Sequence, residues 1–272
     1  MLVARAQEGR IQAASALKAQ GPFHCPRCDE VVILRKGTIR IAHFAHQPAS
    51  TCTWTTGESA IHLQSKQAIV DALRASGYKA EPEVSLGSQR ADVYAMRDGQ
   101  RFVVELQHTP IDPREIERRT RGYLERGLAV TWVSLVSIDY RCFLRPSDEP
   151  IPMRYTPRPF ERWMERFNYG FVQLFNPALD GVLCGKLRAA KTNVPVSEWT
   201  TRDGARHSAG GYQKTAQQYA DLFCDAYLPL ARLELEVQPR SMELKVSGMT
   251  FPRGNFARLV ARADTQATPC PL

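Results

Sequence analysis

The sequence predicts an α/β fold in which a mixed sheet is flanked by helices, with a small metal-binding module before it and an α+β extension after it. Three observations predict this arrangement. Residues 57–146 alternate helical and strand patterns, residues 1–56 gather closely spaced cysteines and histidines, and the remainder has shorter elements. The 272 residues, 43% of them hydrophobic, are enough to bury a substantial core.

Composition narrows the classes of function. The formal net charge of +8 favours a polyanionic partner, above all nucleic acid. No apolar run approaches the roughly 20 residues that a membrane-spanning helix needs, so we expect no membrane partner. The first residues reach Glu8 too soon for the apolar core of a signal peptide, and Cys25 and Cys28 form a tight pair typical of metal binding. The sequence therefore predicts a cytoplasmic protein.

Changes in composition divide the chain into three segments. Residues 1–56 form the metal-binding module, residues 57–146 form the α/β core, and residues 147–272 form an extension whose role the sequence does not assign. The second boundary lies in a stretch rich in proline, which is typical of a linker or a crossing segment: Pro146, Pro150, Pro152, Pro157 and Pro159.

The N-terminal module carries five candidate ligands for one zinc ion: Cys25, Cys28, His43, His46 and Cys52. Thiolates and imidazoles are the ligands that zinc prefers, four at a time in a tetrahedron. A Cys-Pro-x-Cys knuckle directs two sulfurs at one metal, and a following strand-turn-strand pattern brings the histidines back to it. Cys25 and Cys28 are the first candidates for ligands, and His46 and Cys52 come next. His43 is either a ligand itself or a side chain that contacts a ligand. The spacing favours a zinc-ribbon-like module with a structural ion over a set of ordinary buried side chains.

A predicted β-hairpin sets two acidic residues opposite each other. Asp98 and Gly99 lie between two strand patterns, and such a pair is typical of a two-residue turn. The register of that turn places Asp92 opposite Glu105, with Cβ atoms about 4.5–5.5 Å apart. The two carboxylates repel each other unless a cation lies between them. A hard divalent cation such as Mg²⁺ fits the pair.

Two predicted helices flank the hairpin. The first covers about residues 59–76, and Glu58 and His62 share one side of its start because they are four positions apart. Either both point toward the hairpin, or Glu58 serves the helix dipole and His62 is an ordinary half-buried histidine. The second helix begins after Asp112 and carries arginines that either contact phosphate or form a solvated face: Arg114, Arg118, Arg119 and Arg121.

The hairpin is typical of a phosphodiesterase site. An Asp on one strand and a Glu-x-Gln on the next, here Glu105 and Gln107, form the layout of a metal-dependent site of this kind. A metal bound there polarises the phosphate and lowers the pKa of an attacking water. Basic residues nearby neutralise the charge that builds up on the phosphate.

Taken together, these motifs resemble the competence protein CoiA family over about residues 1–145. The resemblance implies a zinc-binding module joined to a nuclease-like domain of the PD-(D/E)XK, restriction-endonuclease-like superfamily. It also implies cytoplasmic DNA handling during natural transformation. The residues that carry it are Cys25-Pro26-Arg27-Cys28, His43-Phe44-Ala45-His46, Cys52, Glu58-Ser59, His62, Lys66, Arg90, Asp92-Val93, Glu105-Leu106-Gln107, Arg118 to Tyr123 and Trp132.

The resemblance also implies roles for individual residues. Asp92 and Glu105 would hold Mg²⁺ or Mn²⁺, and Glu58 would assist them. Gln107 stands where the wider superfamily usually has Lys. A glutamine orients a water or binds a phosphate by hydrogen bonds, but it supplies no positive charge. A neighbouring cation, either Arg90 or Lys66, is then the candidate replacement.

The leading hypothesis is a Mg²⁺- or Mn²⁺-dependent deoxyribonuclease that acts on DNA, including single-stranded or branched DNA, in DNA processing or recombination. The first alternative, favoured by the missing Lys, is a non-catalytic DNA-binding or recombination accessory protein. The second is a zinc-stabilised adaptor that binds other proteins, including recombination proteins. The candidate catalytic residues are Glu58, His62, Asp92, Glu105 and Gln107, and the candidate DNA-binding residues are Lys66, Arg90, Arg114, Arg118, Arg119 and Arg121.

The extension gives weaker patterns. Aromatic residues between 160 and 175 predict core packing in preference to base stacking. An apolar stripe at Ala216, Tyr219, Phe223 and Tyr227 predicts a helix over residues 211–228.

Overall fold

The computed structural model describes residues 1–38, 40–52, 54, 58–143 and 152–262, with the side chains of residues 142 and 143 left out. Both predicted domain boundaries, near residues 56 and 146, lie outside the described residues, as do Pro146 and Pro150. The described part confirms the predicted class. It is a mixed α/β structure with one large sheet, three α-helices and an N-terminal module that has a separate sheet.

The N-terminal module is a five-stranded antiparallel sheet in the order β2-β1-β3-β4-β5. Its small core contains a pair of aromatic residues, since the rings of Phe23 and Phe44 lie 5.0 Å apart and both side chains are buried. The strands are β1 (Val3–Ala6), β2 (Gly9–Gln12), β3 (Phe23–His24), β4 (Val31–Arg35) and β5 (His43–His46).

The central sheet has ten strands, and its path runs β10-β15-β12-β11-β9-β8-β7-β6, with β19 beside β9 and β16 beside β19. The middle pairs, β8 with β9 and β9 with β11, are parallel, and the rest of this path is antiparallel. The strands are β6 (Lys79–Leu86), β7 (Gln89–Arg97), β8 (Gln100–Gln107), β9 (Ala129–Leu135), β10 (Met153–Tyr155), β11 (Val172–Phe175), β12 (Gly181–Val194), β15 (Tyr212–Pro229), β16 (Leu233–Arg240) and β19 (Gly254–Ala261).

Helices cover both faces of this sheet. Helix α1 (Ala60–Ala75) packs an apolar stripe on one face, and Ser59 caps its start by accepting a hydrogen bond from the His62 amide. Helices α2 (Pro113–Leu124) and α3 (Pro159–Phe167) lie against the other face, where the α3 aromatics are buried as predicted. No described helix is both long enough and apolar enough to cross a membrane.

The extension continues the central sheet. β11 pairs with β9 in parallel, and β19 also lies beside β9, so residues from both sides of the predicted second boundary share one sheet. The helix predicted over residues 211–228 is wrong, because β15 occupies this stretch and pairs with β12 over most of its length. Two short hairpins complete the extension: β13 (Ser197–Thr200) with β14 (Arg206–Ala209), and β17 (Leu244–Val246) with β18 (Met249–Phe251).

Candidate active site and metal centre

The N-terminal module gathers a set of four metal ligands. The ligand atoms of Cys25, Cys28, His46 and Cys52 all lie within 4.8 Å of one another. Cys28 Sγ and His46 Nε2 are 3.3 Å apart, because Cys28 precedes β4 and His46 ends β5, at the open end of their hairpin. Three thiolates and one imidazole fit a tetrahedral zinc ion, so the donor set suits the predicted structural metal. His43 is outside the set, and its Nδ1 lies 2.9 Å from the carbonyl oxygen of Ile41.

Local backbone geometry builds this cluster. The Cys25 amide donates to the Glu30 carbonyl, and the Asp29 amide donates to the Cys25 carbonyl, which closes the knuckle. Asp29 has φ +62°, the left-handed conformation that such a tight reversal requires. Burial raises the pKa of the Cys25 thiol to about 11 without a metal. A bound cation would favour the thiolate and release that proton.

The module packs directly against the α/β core. The Trp54 ring lies between two guanidinium groups, 5.6 Å from that of Arg27 in the module and 5.0 Å from that of Arg90 on β7. Arg10 forms an ion pair with Glu81 on β6. These contacts cross from one sheet to the other, so the zinc cluster is tied to the strands that carry the carboxylates.

The hairpin has the predicted register. Asp98 and Gly99 form its turn with φ +51° and +77°, the conformation of a type I′ turn. Pairing runs from Arg97–Gln100 to Val93–Val104, and the next position along β7 is Asp92. At Asp92 a side-chain hydrogen bond replaces the backbone pairing, because the Leu106 amide donates to Asp92 Oδ2 at 3.0 Å.

Glu83 is a site residue that the sequence reasoning missed. It lies on β6 at the level of Asp92 and is buried, with φ +58°, a strained conformation for a side chain of this size. It accepts hydrogen bonds from Lys66 Nζ at 2.6 Å and from the Leu2 amide at 2.9 Å. The available signal was an acidic residue, Glu83, inside a strand pattern. With it, three adjacent strands each contribute one carboxylate.

Lys66 is the cation at the centre of this cluster. Its side chain is fully buried, so its predicted role as a surface contact to DNA does not fit its position. Its ammonium is paired with Glu58 and Glu83 and lies 3.9 Å from Asp92 Oδ1. Burial alone would lower the pKa of Lys66, but these carboxylates raise it above the ordinary value. Lys66 is therefore a buried ammonium ion beside Asp92.

His62 holds the other side of Asp92. Its Nε2 lies 3.1 Å from Asp92 Oδ2, so the side chain of His62 points toward the hairpin, which is the first of the two predicted alternatives. Burial would raise the pKa of Asp92, but His62, Lys66 and Arg119 hold it well below its ordinary value. Asp92 is therefore an ionised carboxylate at neutral pH.

Glu105 has different surroundings. Arg119 Nη2 lies 2.6 Å from Glu105 Oε2, and the Tyr123 hydroxyl donates to Oε1. Burial, aided by the charge of Asp92, raises the pKa of Glu105 to about 8. Two adjacent carboxylates thus have pKa values displaced in opposite directions, which is typical of functional sites.

The remaining predicted residues fall into two groups. Glu58, His62, Arg90 and Gln107 line a cleft of about 160 Å³ beside the cluster, and the Gln107 amide donates to the Thr109 carbonyl at 2.6 Å. On α2, Arg119 points inward to Glu105, whereas the others lie on the outer side. Arg118 pairs with Glu115, and Arg121 pairs with Glu117 and Glu243; no ion pair involves Arg114 within the described residues.

The carboxylates are candidate ligands for a divalent ion. Among the described residues, the cysteine–histidine set is the only group of three or more such ligand atoms within 4.8 Å of one another. Asp92 and Glu105 are adjacent oxygen donors of the kind that Mg²⁺ prefers, so the donor chemistry fits. Their oxygens already have partners in His62 and Arg119, so an ion must compete with these side chains.

A Cys₃His module joined to an α/β domain with a buried carboxylate cluster defines a nuclease-like class of protein. Comparison with known proteins gives the family. Residues 6–55 match the competence protein CoiA N-terminal domain, and residues 58–138 match the competence protein CoiA nuclease-like domain. These two matches place residues 6–55 and 58–138 with the CoiA-like family.

A curated relative supports this assignment. The chain is 30% identical to competence protein CoiA of Bacillus subtilis (strain 168) over 114 residues, which is 41% of this chain. The matched part spans 31% of that protein's length. No solved structure matches the chain.

Proposed function

We propose that the chain is a divalent-metal-dependent deoxyribonuclease of the PD-(D/E)XK type that processes DNA in competence or recombination. One observation carries the proposal. Adjacent strands bring Asp92 and Glu105 together beside a cleft, and Lys66 supplies from α1 the positive charge that the superfamily pattern places at Gln107. The nuclease-like domain match supports the same reading.

Each residue has a role that its surroundings support. Asp92 and Glu105 would hold Mg²⁺ or Mn²⁺, which when bound would polarise a phosphodiester and lower the pKa of an attacking water. Lys66 offsets negative charge at the phosphate, with Glu58 keeping its ammonium in place. His62 orients Asp92, and Gln107 lines the cleft, where its side-chain oxygen would accept a hydrogen bond from water.

The DNA strands would lie over the arginines around this cleft. Arg90 lines the cleft, and Arg114, Arg118 and Arg121 lie on the outer side of α2. Arg119 serves Glu105 directly. Zinc would hold the N-terminal module in its folded form, and the cytoplasmic location remains a prediction from the sequence.

Cleavage assays test the proposal. Zinc-loaded protein is incubated with single-stranded, duplex and branched DNA, with Mg²⁺ or Mn²⁺ and without either. We expect cleavage only with the added ion, and a loss of about 10²-fold or more in Asp92→Asn and Glu105→Gln, since each removes a carboxylate ligand for the ion. Glu198→Gln, on the exposed strand β13, is the matched control and should cleave like wild type. Absence of cleavage by wild type on every substrate would reject the proposal.

A second function is favoured by a separate observation. The buried carboxylates already have partners in Lys66, Arg119 and His62, so their contacts do not require a divalent ion. A DNA-binding recombination accessory protein that retains the fold without catalysis would have this arrangement. In that case Asp92→Asn would leave both DNA affinity and biological effect unchanged, and Mg²⁺ would not bind at the cluster.

A further inference from the structure

A chain of cavities runs from the zinc module to the carboxylate cluster. The first, about 700 Å³, is lined by Lys18, Arg35, Lys36, Arg40 and His43. A second, about 370 Å³, shares Arg35, Arg40 and His43 with it and reaches Glu58 at the start of α1. Glu58 also lines the 160 Å³ cleft beside the cluster. Neighbouring cavities therefore share lining residues, and the three together are here called the basic channel.

The first part of the basic channel carries unbalanced positive charge. No acidic side chain lines it. Within the described residues, no ion pair involves Lys18, Arg35, Lys36 or Arg40, and the Lys36 ammonium donates only to the Ala14 carbonyl, at 3.1 Å. Other arginines of the same module differ, because Arg5 is paired with Asp29 and Arg10 with Glu81. Four uncompensated cations around one cavity form a site for a polyanion.

We propose that the basic channel binds the phosphates of single-stranded DNA and directs the strand from the zinc module to Asp92 and Glu105. Phosphodiesters match the cations in charge, and a chain of them matches a channel several cavities long. The far end of the basic channel is narrow, because the cleft there has a volume of about 160 Å³, and one strand enters it more readily than a duplex. Two residues that line this cleft contact the carboxylate cluster, since Glu58 pairs with Lys66 and His62 Nε2 lies 3.1 Å from Asp92 Oδ2.

This inference deepens the proposed function, and rests on it in taking DNA as the ligand. The test measures binding of a fluorescein-labelled single-stranded oligonucleotide to the zinc-loaded full chain across a salt series, without Mg²⁺. We expect the double variant Arg35→Ala/Arg40→Ala to bind about tenfold more weakly, and its log–log salt slope to fall by about 1.4, since each phosphate contact to a single strand contributes about 0.7.

Two matched variants separate the basic channel from general charge. Arg202→Ala/Arg206→Ala removes the same charge near the exposed β13–β14 hairpin, where within the described residues neither arginine has an ion pair, and should bind within twofold of wild type. Arg35→Lys/Arg40→Lys keeps the charge and should keep the salt slope. Zinc content and circular dichroism verify that each variant is folded.

Three outcomes overturn the inference. An Arg35→Ala/Arg40→Ala protein with the affinity and slope of wild type rejects the channel. An equal loss in the Arg202→Ala/Arg206→Ala control reduces the effect to net charge. Tighter binding of duplex than of single strand, with the same loss in the variant, rejects the single-strand assignment. The proposed nuclease is judged separately by cleavage with Mg²⁺, so either proposal can fail while the other stands.

Discussion

At the scale of single residues, Lys66 explains why the hairpin is stable although the sequence predicts repulsion between its carboxylates. Glu58, Glu83 and Asp92 surround its ammonium inside the protein. Removing one partner of a buried set leaves the others uncompensated, and the cost of that is larger than the net value of the pair. The ammonium therefore acts as a built-in counter-ion in the position where sequence reasoning expected an external one.

Replacing Lys66 with methionine should destabilise the fold strongly. The methionine fills much of the volume but removes the cation that Glu58, Glu83 and Asp92 share, so we expect a loss of about 3–5 kcal/mol in the free energy of unfolding. Urea unfolding of zinc-loaded protein measures it. Lys79→Met, on an exposed position of β6, is the matched control and should change stability by less than about 0.5 kcal/mol. A Lys66→Met protein as stable as this control would show that the carboxylates do not depend on the ammonium.

Glu105 makes stability depend on pH. Its pKa of about 8 lies above the ordinary value of 4.5, so between these values the folded state binds a proton that the unfolded state has lost. The stabilisation that Glu105 contributes is fully present below pH 4.5. It decreases as the pH rises from 4.5 through 8, by up to about 1.4 kcal/mol for each pH unit. Glu105→Gln, compared with wild type by urea unfolding without Mg²⁺, should lack this decline. Parallel pH profiles for the two proteins would contradict the assignment.

At the scale of elements, the hairpin and the helices could be predicted because their signals are local. Asp98-Gly99 specifies the turn and thereby the register, and Asp112 caps helix α2 at the start that the sequence predicts. β15 was misread because its signal is not local. Its pairing with β12 shifts between Cys184 and Gly185 and again between Ala189 and Lys191, and such irregularities reset the alternation of a strand. The apolar spacing that results imitates a helix.

The turn at Gly99 should control the position of the carboxylates. With φ +77° and no neighbour within 4 Å of an added Cβ, Gly99→Val is penalised by conformation rather than by contact. We expect a loss of about 1–3 kcal/mol in the free energy of unfolding. Gly37→Ala also meets open space but has no positive φ, and it should be nearly neutral. Equal stability of the two variants would mean that this turn does not determine the hairpin.

At the scale of the whole molecule, the two sheets form one functional unit across a polar interface. Trp54, two residues beyond the ligand Cys52, stacks on Arg90, and Arg90 Nη2 lies 3.6 Å from Glu58. The Leu2 amide reaches Glu83. Sequence patterns could identify each half but not this interface, because stacking and ion pairs between distant segments leave no periodic signal. The candidate site was therefore predicted as Asp92 and Glu105 without Glu83.

Loss of zinc should consequently be felt beyond the zinc module. Cys28→Ser removes an exposed ligand without changing the core, so we expect no bound zinc by colorimetric assay and loss of hydrogen-exchange protection in β4 and β5. Because Trp54 then releases Arg90, protection should also fall in β6 and β7 near Glu83 and Arg90, while β9 on the far side of the hairpin keeps its protection. Cys224→Ser, a thiol outside the ligand set, is the control and should exchange like wild type. Unchanged exchange in β6 and β7 of the zinc-free variant would show that the core does not depend on the zinc module, and zinc would then serve its own module alone.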